Sequence, residues 1–227
     1  MGINYRDIVP WGRSFDEYVK MFSLKPDDLN LKILDCGGGP SSFNAEMTRR
    51  GKYVKSIDPI YNLSADDIKK RIDATYDDVI NQTRANADKF IWQHISSVEE
   101  LGHVRMAAMQ QFLDDYEQGK KEGRYIYAEL PSLPFTDKEF DIALSSHFLF
   151  LYSSNLSLDF HRKAIIEMVR VAREIRIFPL VDVNGVSSPY VEYIKNELAK
   201  KEYRAAIEKV DYEFQKGGNE MLRILVK

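Results

Sequence analysis

The sequence contains almost no cysteine and no long apolar run. Cys36 is the only cysteine among 227 residues, which excludes an internal disulfide and a zinc site built from several cysteines. The longest apolar stretch, residues 148–152, is far shorter than the ~20 residues that a membrane-spanning helix needs. The first residues show no basic region followed by an apolar run, so we expect no secretory signal, no membrane contact and a cytoplasmic location.

Glycine, proline and an excess of charge of one sign are also scarce. Twelve glycines and eight prolines, with 44% hydrophobic residues, exclude a disordered or collagen-like chain and favour one domain over residues 1–227. The net charge of −3 gives no general attraction to nucleic acid or to an anionic membrane. The four histidines are scattered singly along the chain, so we predict no metal site.

The amino-terminal quarter has the pattern of a βαβ unit. It comprises a predicted strand at residues 31–35, a glycine-rich turn at 36–40, a helix at 41–50 and a second strand at 53–57. Ser41 is the predicted N-cap of that helix. Strands joined in this way lie parallel. Earlier in the chain, Ser14 and Glu17 have the spacing of a capping box, which predicts a helix within residues 11–22.

Residues 64–122 contain no strand-like run and interrupt this alternation. Residues 97–118 place apolar side chains at spacings of three and four, which predicts an amphipathic helix with Arg105 on its apolar face. Residues 76–93 predict another helix. A connection this long exceeds an ordinary crossover, so we predict a helical insertion that caps the ligand-binding end of the sheet.

Strands and helices alternate again after residue 122. The predicted strands are 124–128, 140–144 and 174–178, the predicted helices are 157–172 and 188–200, and residues 206–214 and 220–226 form a hairpin. This order predicts an α/β fold with a doubly wound, mostly parallel sheet of about seven strands that ends in an antiparallel hairpin. Such a sheet binds ligands at the carboxyl ends of its strands.

The glycine-rich turn 36–40 is the most informative motif. Gly37 and Gly39 let the backbone approach a ligand closely, and the following helix offers free N–H groups. Asp35 ends the strand before the turn, where a carboxylate suits a cationic group such as an ammonium. Asp58 ends the next strand, where a carboxylate can accept both hydroxyls of a ribose. The alternative is structural, with Asp35 capping the turn and Asp58 beginning an Asp-Pro turn.

With these features the sequence resembles the class I S-adenosylmethionine-dependent methyltransferases over nearly its whole length. The matching features are the acid and Gly-x-Gly turn of Asp35, Gly37 and Gly39, the acid Asp58, the segments 128–135 and 140–141, and the terminal hairpin. The family's usual third glycine is Ser41 here, and its Pro-Gly-Gly turn before the fifth strand is absent. The resemblance implies a Rossmann-like fold and S-adenosyl-L-methionine as the cofactor.

The resemblance also implies roles for individual residues. These are Gly37 and Gly39 at the methionine part of the cofactor, Asp35 near its ammonium group, Asp58 at the ribose hydroxyls, Pro59 and Ile60 beside the adenine, Glu129 at the adenine amino group, and the Leu130 N–H at the ring. Ser145 or Ser146 would face the cofactor after the fourth strand. Arg13 would pair with its carboxylate and Tyr18 would stack nearby; otherwise this segment only packs on the sheet.

His147 follows the fourth predicted strand, where the reacting groups of the family meet. Its ordinary pKa is close to neutrality, which makes it the candidate general base, and the alternative is that it only packs beside the cofactor. We predict an acceptor pocket between residues 145–152, the helical cap and residues 181–188, with Phe148, Phe150 and Tyr152 as its apolar walls.

The predicted function is methyl transfer from S-adenosylmethionine to a small molecule of unspecified identity. The sequence shows neither a basic face nor an Asn/Asp-Pro-Pro-Tyr/Phe run, so a nucleic acid substrate is not favoured. Asp35 and the missing third glycine disfavour a nicotinamide-dependent oxidoreductase. The alternative is a non-catalytic cofactor-binding or regulatory protein on the same fold, which would have no open acceptor pocket. The residues do not specify an oligomeric state.

Overall fold

The protein forms a seven-stranded sheet flanked by helices, in a computed structural model that describes Ile3, residues 8–201 and residues 203–226. The strands of this part of the chain are β1 (Ile33–Cys36), β2 (Val54–Ile57), β3 (Tyr125–Ile126), β4 (Phe140–Ser146), β5 (Ala172–Phe178), β6 (Arg204–Lys209) and β7 (Glu220–Leu225). The helices are α1 (Phe15–Met21), α2 (Phe43–Arg49), α3 (Ala65–Ala85), α4 (Val98–Lys121), α5 (Leu158–Val171) and α6 (Val191–Lys200).

The sheet has the strand order β3-β2-β1-β4-β5-β7-β6. Strands β1 to β5 pair in parallel, and β7 lies antiparallel to both β5 and β6. This confirms the predicted α/β fold with its closing antiparallel pair. Because β1 lies between β2 and β4, the order reverses at β1, and the crevice at the carboxyl ends of strands at such a switch point is where this sheet type binds ligands.

Two apolar clusters cover the opposite faces of the sheet. Leu34 and Ala143 belong to the cluster that includes α5 and α6, whereas Ile33 and Ile142 belong to the cluster that includes α1 and α2. Neighbouring residues of one strand therefore point to different faces, as the two-residue period of a strand requires. All four side chains are buried.

The starts of the first two helices follow from serine caps. The Ser14 hydroxyl accepts a hydrogen bond from the Glu17 N–H, and the Glu17 carboxylate accepts one from the Ser14 N–H at 2.9 Å, which confirms the capping box of α1. At α2 the N-cap is Ser42 rather than the predicted Ser41. The Ser41 hydroxyl nevertheless accepts from the Phe43 N–H at 3.1 Å and so supplies one of the missing partners at this helix end.

Helix α3 begins and ends earlier than the predicted range of residues 76–93. It begins after Ser64, whose hydroxyl accepts from the Asp67 N–H. It ends at Ala85, and the side-chain amide of the C-cap residue Asn86 donates to the Gln82 carbonyl at 2.9 Å. These polar caps set the bounds of the helix, whereas the predicted range missed the buried Ile68 and Ile72 and included Phe90, which lies beyond the helix.

Strand β6 is shorter than the predicted range of residues 206–214. The paired residues end at Lys209, and the following residues leave the sheet. The Phe214 ring stacks on Phe90 at a centroid distance of 4.9 Å instead of continuing the ladder. Aromatic packing against a distant segment therefore overrides the alternating pattern that predicted a longer strand.

Helices α3 and α4 lie between β2 and β3 in the chain and pack against each other. The Tyr116 hydroxyl donates to the Tyr61 carbonyl at 3.0 Å, which ties α4 to the segment after β2. Phe90, between the two helices, forms a β-bridge with Gln215 in the loop before β7, beside the carboxyl end of β5. This helical segment therefore reaches the carboxyl edge of the sheet. No described helix is long and apolar enough to cross a membrane.

Candidate functional site

A cavity of about 380 Å³ opens at the carboxyl ends of β1, β2 and β4. Its volume lies within the range of ligand pockets, roughly 300–1,000 Å³. The predicted site residues that line it are Arg13, Tyr18, Gly37, Gly39, Asp58, Pro59, Ile60, Glu129, Leu130 and His147. The topology thus brings together residues from six separate segments of the chain. We refer to it as the first cavity.

The glycine turn forms one wall of the first cavity because its backbone conformation is left-handed. Gly37 and Gly39 have φ values of +71° and +52°, which side-chain-bearing residues rarely adopt. A Cβ on Gly37 would also lie 3.1 Å from the Phe148 ring. The Gly37 N–H donates to the Ile57 carbonyl at 2.9 Å, so β2 holds the turn in place.

Asp58 lines the first cavity at the end of β2. Its Oδ1 accepts from the Ile60 N–H and its Oδ2 from the Gly39 N–H, both at 2.9 Å, so the carboxylate joins the glycine turn to the next segment. Burial raises the pKa of Asp58 to about 6, although these two hydrogen bonds lower it. Each oxygen retains a free lone pair for a ligand hydroxyl.

Asp35 lies behind the glycine turn and does not line the first cavity. Its predicted place near a ligand ammonium stays a prediction. Its side chain is 1% exposed and accepts from the hydroxyls of Tyr18 at 3.2 Å and Ser56 at 3.1 Å. A Cβ on Gly38 would overlap its Oδ2, so the turn closes over the carboxyl group. Burial raises the pKa of Asp35 to about 7, against the hydrogen bonds that lower it. Asp35 therefore positions the turn from beneath.

Tyr18 lines the first cavity, but its ring is almost entirely buried. The ring stacks on Phe43 of α2 at a centroid distance of 4.5 Å, and its hydroxyl donates to Asp35. The residue therefore contributes the floor of the cavity. The predicted stacking of Tyr18 near the cofactor stays a prediction.

Ser145 and Ser146 occupy opposite faces of β4. Ser146 lines the first cavity, whereas Ser145 does not, and the buried hydroxyl of Ser145 has no hydrogen-bond partner among the described residues. The two-residue period of the strand places Ser146 on the same face as Leu144. The alternative that Ser146 faces the ligand fits the structure, and the one that named Ser145 does not.

His147 follows β4 in a left-handed conformation, with φ at +51°. A non-glycine residue with this φ is uncommon and often marks a functional position. Its N–H donates to the Phe178 carbonyl at 2.7 Å, and its Nδ1 lies 3.0 Å from the Ser146 hydroxyl. Burial, with the positive charges of Arg13 and Arg105, holds the pKa of His147 well below its ordinary value. The ring is therefore neutral at pH 7, and the same burial and charges disfavour its protonated form.

A second, smaller cavity of about 100 Å³ adjoins the first. His147, Arg13, Trp11 and Val9 line both cavities. Its remaining walls come from α3, α4, the segment after β4, the segment after β5 and the loop before β7, through residues that include Val79, Leu101, Arg105, Leu151, Tyr152, Val183, Tyr212 and Phe214. This position matches the location predicted for an acceptor pocket, but only Tyr152 of the three predicted apolar walls lines it. Phe148 lines the first cavity, and the fully buried Phe150 lines neither.

The segment of residues 8–13 crosses both cavities. Trp11 and Arg13 line both of them, and the Arg13 carbonyl accepts from the Ser42 N–H at 3.0 Å. Arg13 has no salt bridge among the described residues, and its Nε is buried without a hydrogen-bond partner there. Burial, followed by the positive charge of Arg105, lowers the pKa of Arg13 to about 10. The guanidinium therefore remains charged and available to an anion.

A cluster around Glu17 is the part of the site that sequence analysis missed. Glu17 accepts from Arg105 Nη1 at 2.6 Å and from the Tyr212 hydroxyl at 2.7 Å. Burial raises the pKa of Glu17, but the charge and hydrogen bond of Arg105, followed by the charge of Arg13, lower it to about 2. The available signal was Arg105 itself, a charged residue on the apolar face of a predicted helix. No cluster of metal-ligating side chains occurs within the described ranges.

Gly12 allows the segment 8–13 to approach the glycine turn. A Cβ on this residue would overlap the Pro40 carbonyl and would lie 2.9 Å from Met109 of α4. We expect Gly12→Ala to lower the free energy of unfolding by about 1–3 kcal/mol, as overpacking does, and to weaken ligand binding in the first cavity. Urea denaturation measures the first effect. If the free energy of unfolding is unchanged, residues 8–13 can move away from the Pro40 carbonyl with no loss of stability.

Comparison with known proteins places the chain in a family. No family model matches it. It is 41% identical to an uncharacterized protein of Methanocaldococcus jannaschii over 223 residues, which are 98% of each chain. Among solved structures, it resembles magnesium protoporphyrin IX methyltransferase of Synechocystis, crystallised with bound SAH, with a TM-score of 0.51 and 12% identity over 94% of this chain and 82% of the other.

The mitomycin 7-O-methyltransferase also resembles it, with a TM-score of 0.51 and 12% identity over 94% of this chain and 54% of the other. These identities are low, so the two structures are informative about the fold. They confirm the fold that the glycine turn and the terminal hairpin predicted. The chain therefore has the fold of the class I S-adenosylmethionine-dependent methyltransferases and belongs to the same family as the M. jannaschii protein.

Proposed function

We propose that this protein is an S-adenosylmethionine-dependent methyltransferase that acts on a small molecule. The observation that carries the proposal is the first cavity, in which the Gly37–Gly39 turn and the Asp58 carboxylate face one another at the switch point of the sheet. The similarity to methyltransferases of known structure supports the same activity at the level of the fold.

The residues of the first cavity fit this cofactor. Asp58 would accept the ribose hydroxyls, and the glycine turn leaves room for the methionine part because no side chain projects from it. Pro59, Ile60, Glu129 and Leu130 would surround the adenine. Arg13 would pair with the carboxylate. When bound, S-adenosylmethionine would supply an electrophilic methyl group, and a lone pair of the acceptor would form the new bond to carbon while sulfur would keep both electrons of the broken S–C bond.

His147 would take the proton that the acceptor nucleophile loses. Its ring lies at the junction of the two cavities and is neutral at pH 7, which is the form that a general base must have before it takes a proton, although its lowered pKa makes it a weaker base than an exposed histidine. The Ser146 hydroxyl would fix the ring orientation through Nδ1. The apolar walls of both cavities would exclude water and align the two reactants, which is most of the catalysis that an in-line displacement needs.

The second cavity is the proposed acceptor site. A non-catalytic binding protein would have no such pocket beside its ligand, so its presence favours the enzyme over the regulatory alternative. Residues 64–122 would act as the helical cap of this site, because Val79 of α3 and Leu101 of α4 form part of its wall. We infer that a methyl-transfer screen over small hydroxyl, amine and thiol compounds will identify the acceptor.

Calorimetric titration with S-adenosylhomocysteine and, separately, with NAD tests the cofactor class. We expect Asp58→Ala to weaken S-adenosylhomocysteine binding by about 1.5–3 kcal/mol, the value of a lost charged hydrogen-bond partner. Asp66→Ala, at an exposed position of α3, is the control and should bind normally. If Asp58→Ala binds S-adenosylhomocysteine with unchanged affinity, Asp58 does not bind the ribose. If the unaltered protein binds NAD more tightly than S-adenosylhomocysteine, the proposed function is wrong.

A further inference from the structure

Arg105 is a buried arginine, and one edge of its guanidinium forms no hydrogen bond with the described residues. Its side chain is 0% exposed and lines the second cavity but not the first. Nη1 donates to Glu17 at 2.6 Å, whereas Nε and Nη2 have no hydrogen-bond partner in the described part of the chain. A buried guanidinium with two unsatisfied donors is costly, so this edge is expected to meet an acceptor when the site is filled.

The same edge of arginine binds carboxylates elsewhere in this chain. Nε and Nη2 of Arg162 donate to the two oxygens of Glu197 at 2.6 and 2.8 Å. The equivalent atoms of Arg223 donate to Glu174 at 2.7 and 3.1 Å. The planar fork of a guanidinium matches the two oxygens of a carboxylate, and such paired bonds are among the strongest in proteins. The free edge of Arg105 therefore has the geometry of half of a carboxylate pair.

The charges around the second cavity point to the same ligand chemistry. Two arginines, Arg13 and Arg105, line it, and no described aspartate or glutamate does. Glu17 balances only one of the two positive charges, through Arg105 Nη1. The other walls are mostly apolar and include Leu101 and Phe214. The cavity therefore suits a small apolar group that ends in an anion.

We propose that the methyl acceptor carries a carboxylate that binds to Nε and Nη2 of Arg105. This inference rests on the proposed function, since it assigns the acceptor class of that same site. Anchored in this way, the apolar body of the acceptor lies against the second cavity wall and its nucleophile points toward His147, which lines both cavities. Arg13 binds the cofactor carboxylate. The two arginines thereby hold the carboxylates of cofactor and acceptor in neighbouring positions.

The test compares small carboxylic acids with their primary amides, which have the same shape without the charge. Benzoate, phenylacetate and isobutyrate are each titrated, beside the corresponding amide, into protein saturated with S-adenosylhomocysteine. We expect at least one acid to bind about tenfold or more tightly than its amide, as a charge-assisted bidentate pair predicts. Arg105→Lys keeps the positive charge beside Glu17 but loses the fork, so we expect this variant to reduce the preference for the acid over its amide by at least about threefold.

Arg162→Lys is the matched control, because Arg162 uses the same edge on Glu197 and lines neither cavity. It should retain the preference for the acid. The inference is overturned if no acid binds better than its amide, if Arg105→Lys keeps the preference, or if Arg105→Lys weakens S-adenosylhomocysteine as much as it weakens the acid. Failure of S-adenosylhomocysteine to bind the unaltered protein would instead overturn the proposed function, so the two failures are distinguishable.

Discussion

Replacing His147 with alanine is expected to lower kcat by about 10²–10⁴, the usual contribution of a general base. The reason is its position: the neutral ring lines both cavities and is oriented by the Ser146 hydroxyl at 3.0 Å. Affinity for S-adenosylhomocysteine should change little, because a base acts on the acceptor and not on the bound cofactor. Steady-state kinetics with the acceptor found by the methyl-transfer screen measures kcat.

The pH profile of methyl transfer by the unaltered protein checks the same assignment. Burial and two nearby arginines hold the pKa of His147 well below its ordinary value of 6.5, so the base form persists as the pH falls through this value. The acidic limb of the kcat profile should therefore lie below pH 6.5. A loss of less than about threefold in His147→Ala would make the residue structural and leave catalysis to the alignment of the reactants.

Raising the pH from about 4 to 7 is expected to destabilise the cofactor-free protein through Asp35. This carboxyl has a pKa of 3.8 when unperturbed and about 7 in the folded state, where it is buried behind the glycine turn. Between these values the folded protein retains a proton that the unfolded chain has lost, so increasing pH favours unfolding. At about 1.36 kcal/mol for each pKa unit, Asp35 contributes a loss of up to about 4 kcal/mol, complete above pH 7.

Urea denaturation at several pH values measures this loss. Asp58 acts in the same direction, since its pKa is raised to about 6, so the wild-type profile contains both contributions. Asp35→Asn removes one of them and should flatten the profile while it leaves the contribution of Asp58 in place. Parallel profiles for the two proteins would contradict the raised pKa of Asp35.

Local patterns were sufficient to predict the fold and much of the first cavity. The glycine turn, Asp58 and the terminal hairpin are defined by short spacings within one or two elements, and the structure has all three. The side of the strand on which a residue falls was harder to predict. Ser145 and Ser146 are adjacent residues of the same type that point to opposite faces of β4. Only the register of β4 against β5 shows which of them faces the cavity.

The second cavity could not be predicted in detail because its polar contacts join distant parts of the chain. Glu17 was predicted to complete a capping box, and it does so while it also accepts from Arg105 and Tyr212. Asp35 shows the same limit. Its position at the end of β1 was predicted, but its burial depends on Tyr18 and Ser56, which reach it from α1 and β2.

The contacts of Glu17 have a consequence for how the protein is made. Arg105 and Tyr212 lie 88 and 195 residues further along the chain, so both bonds form only after long loops have closed. During synthesis the glycine turn and its neighbouring strands emerge well before Tyr212 leaves the ribosome. The nascent chain can therefore assemble the glycine turn early, whereas the wall of the second cavity is completed only after Tyr212 has emerged and β7 joins the sheet.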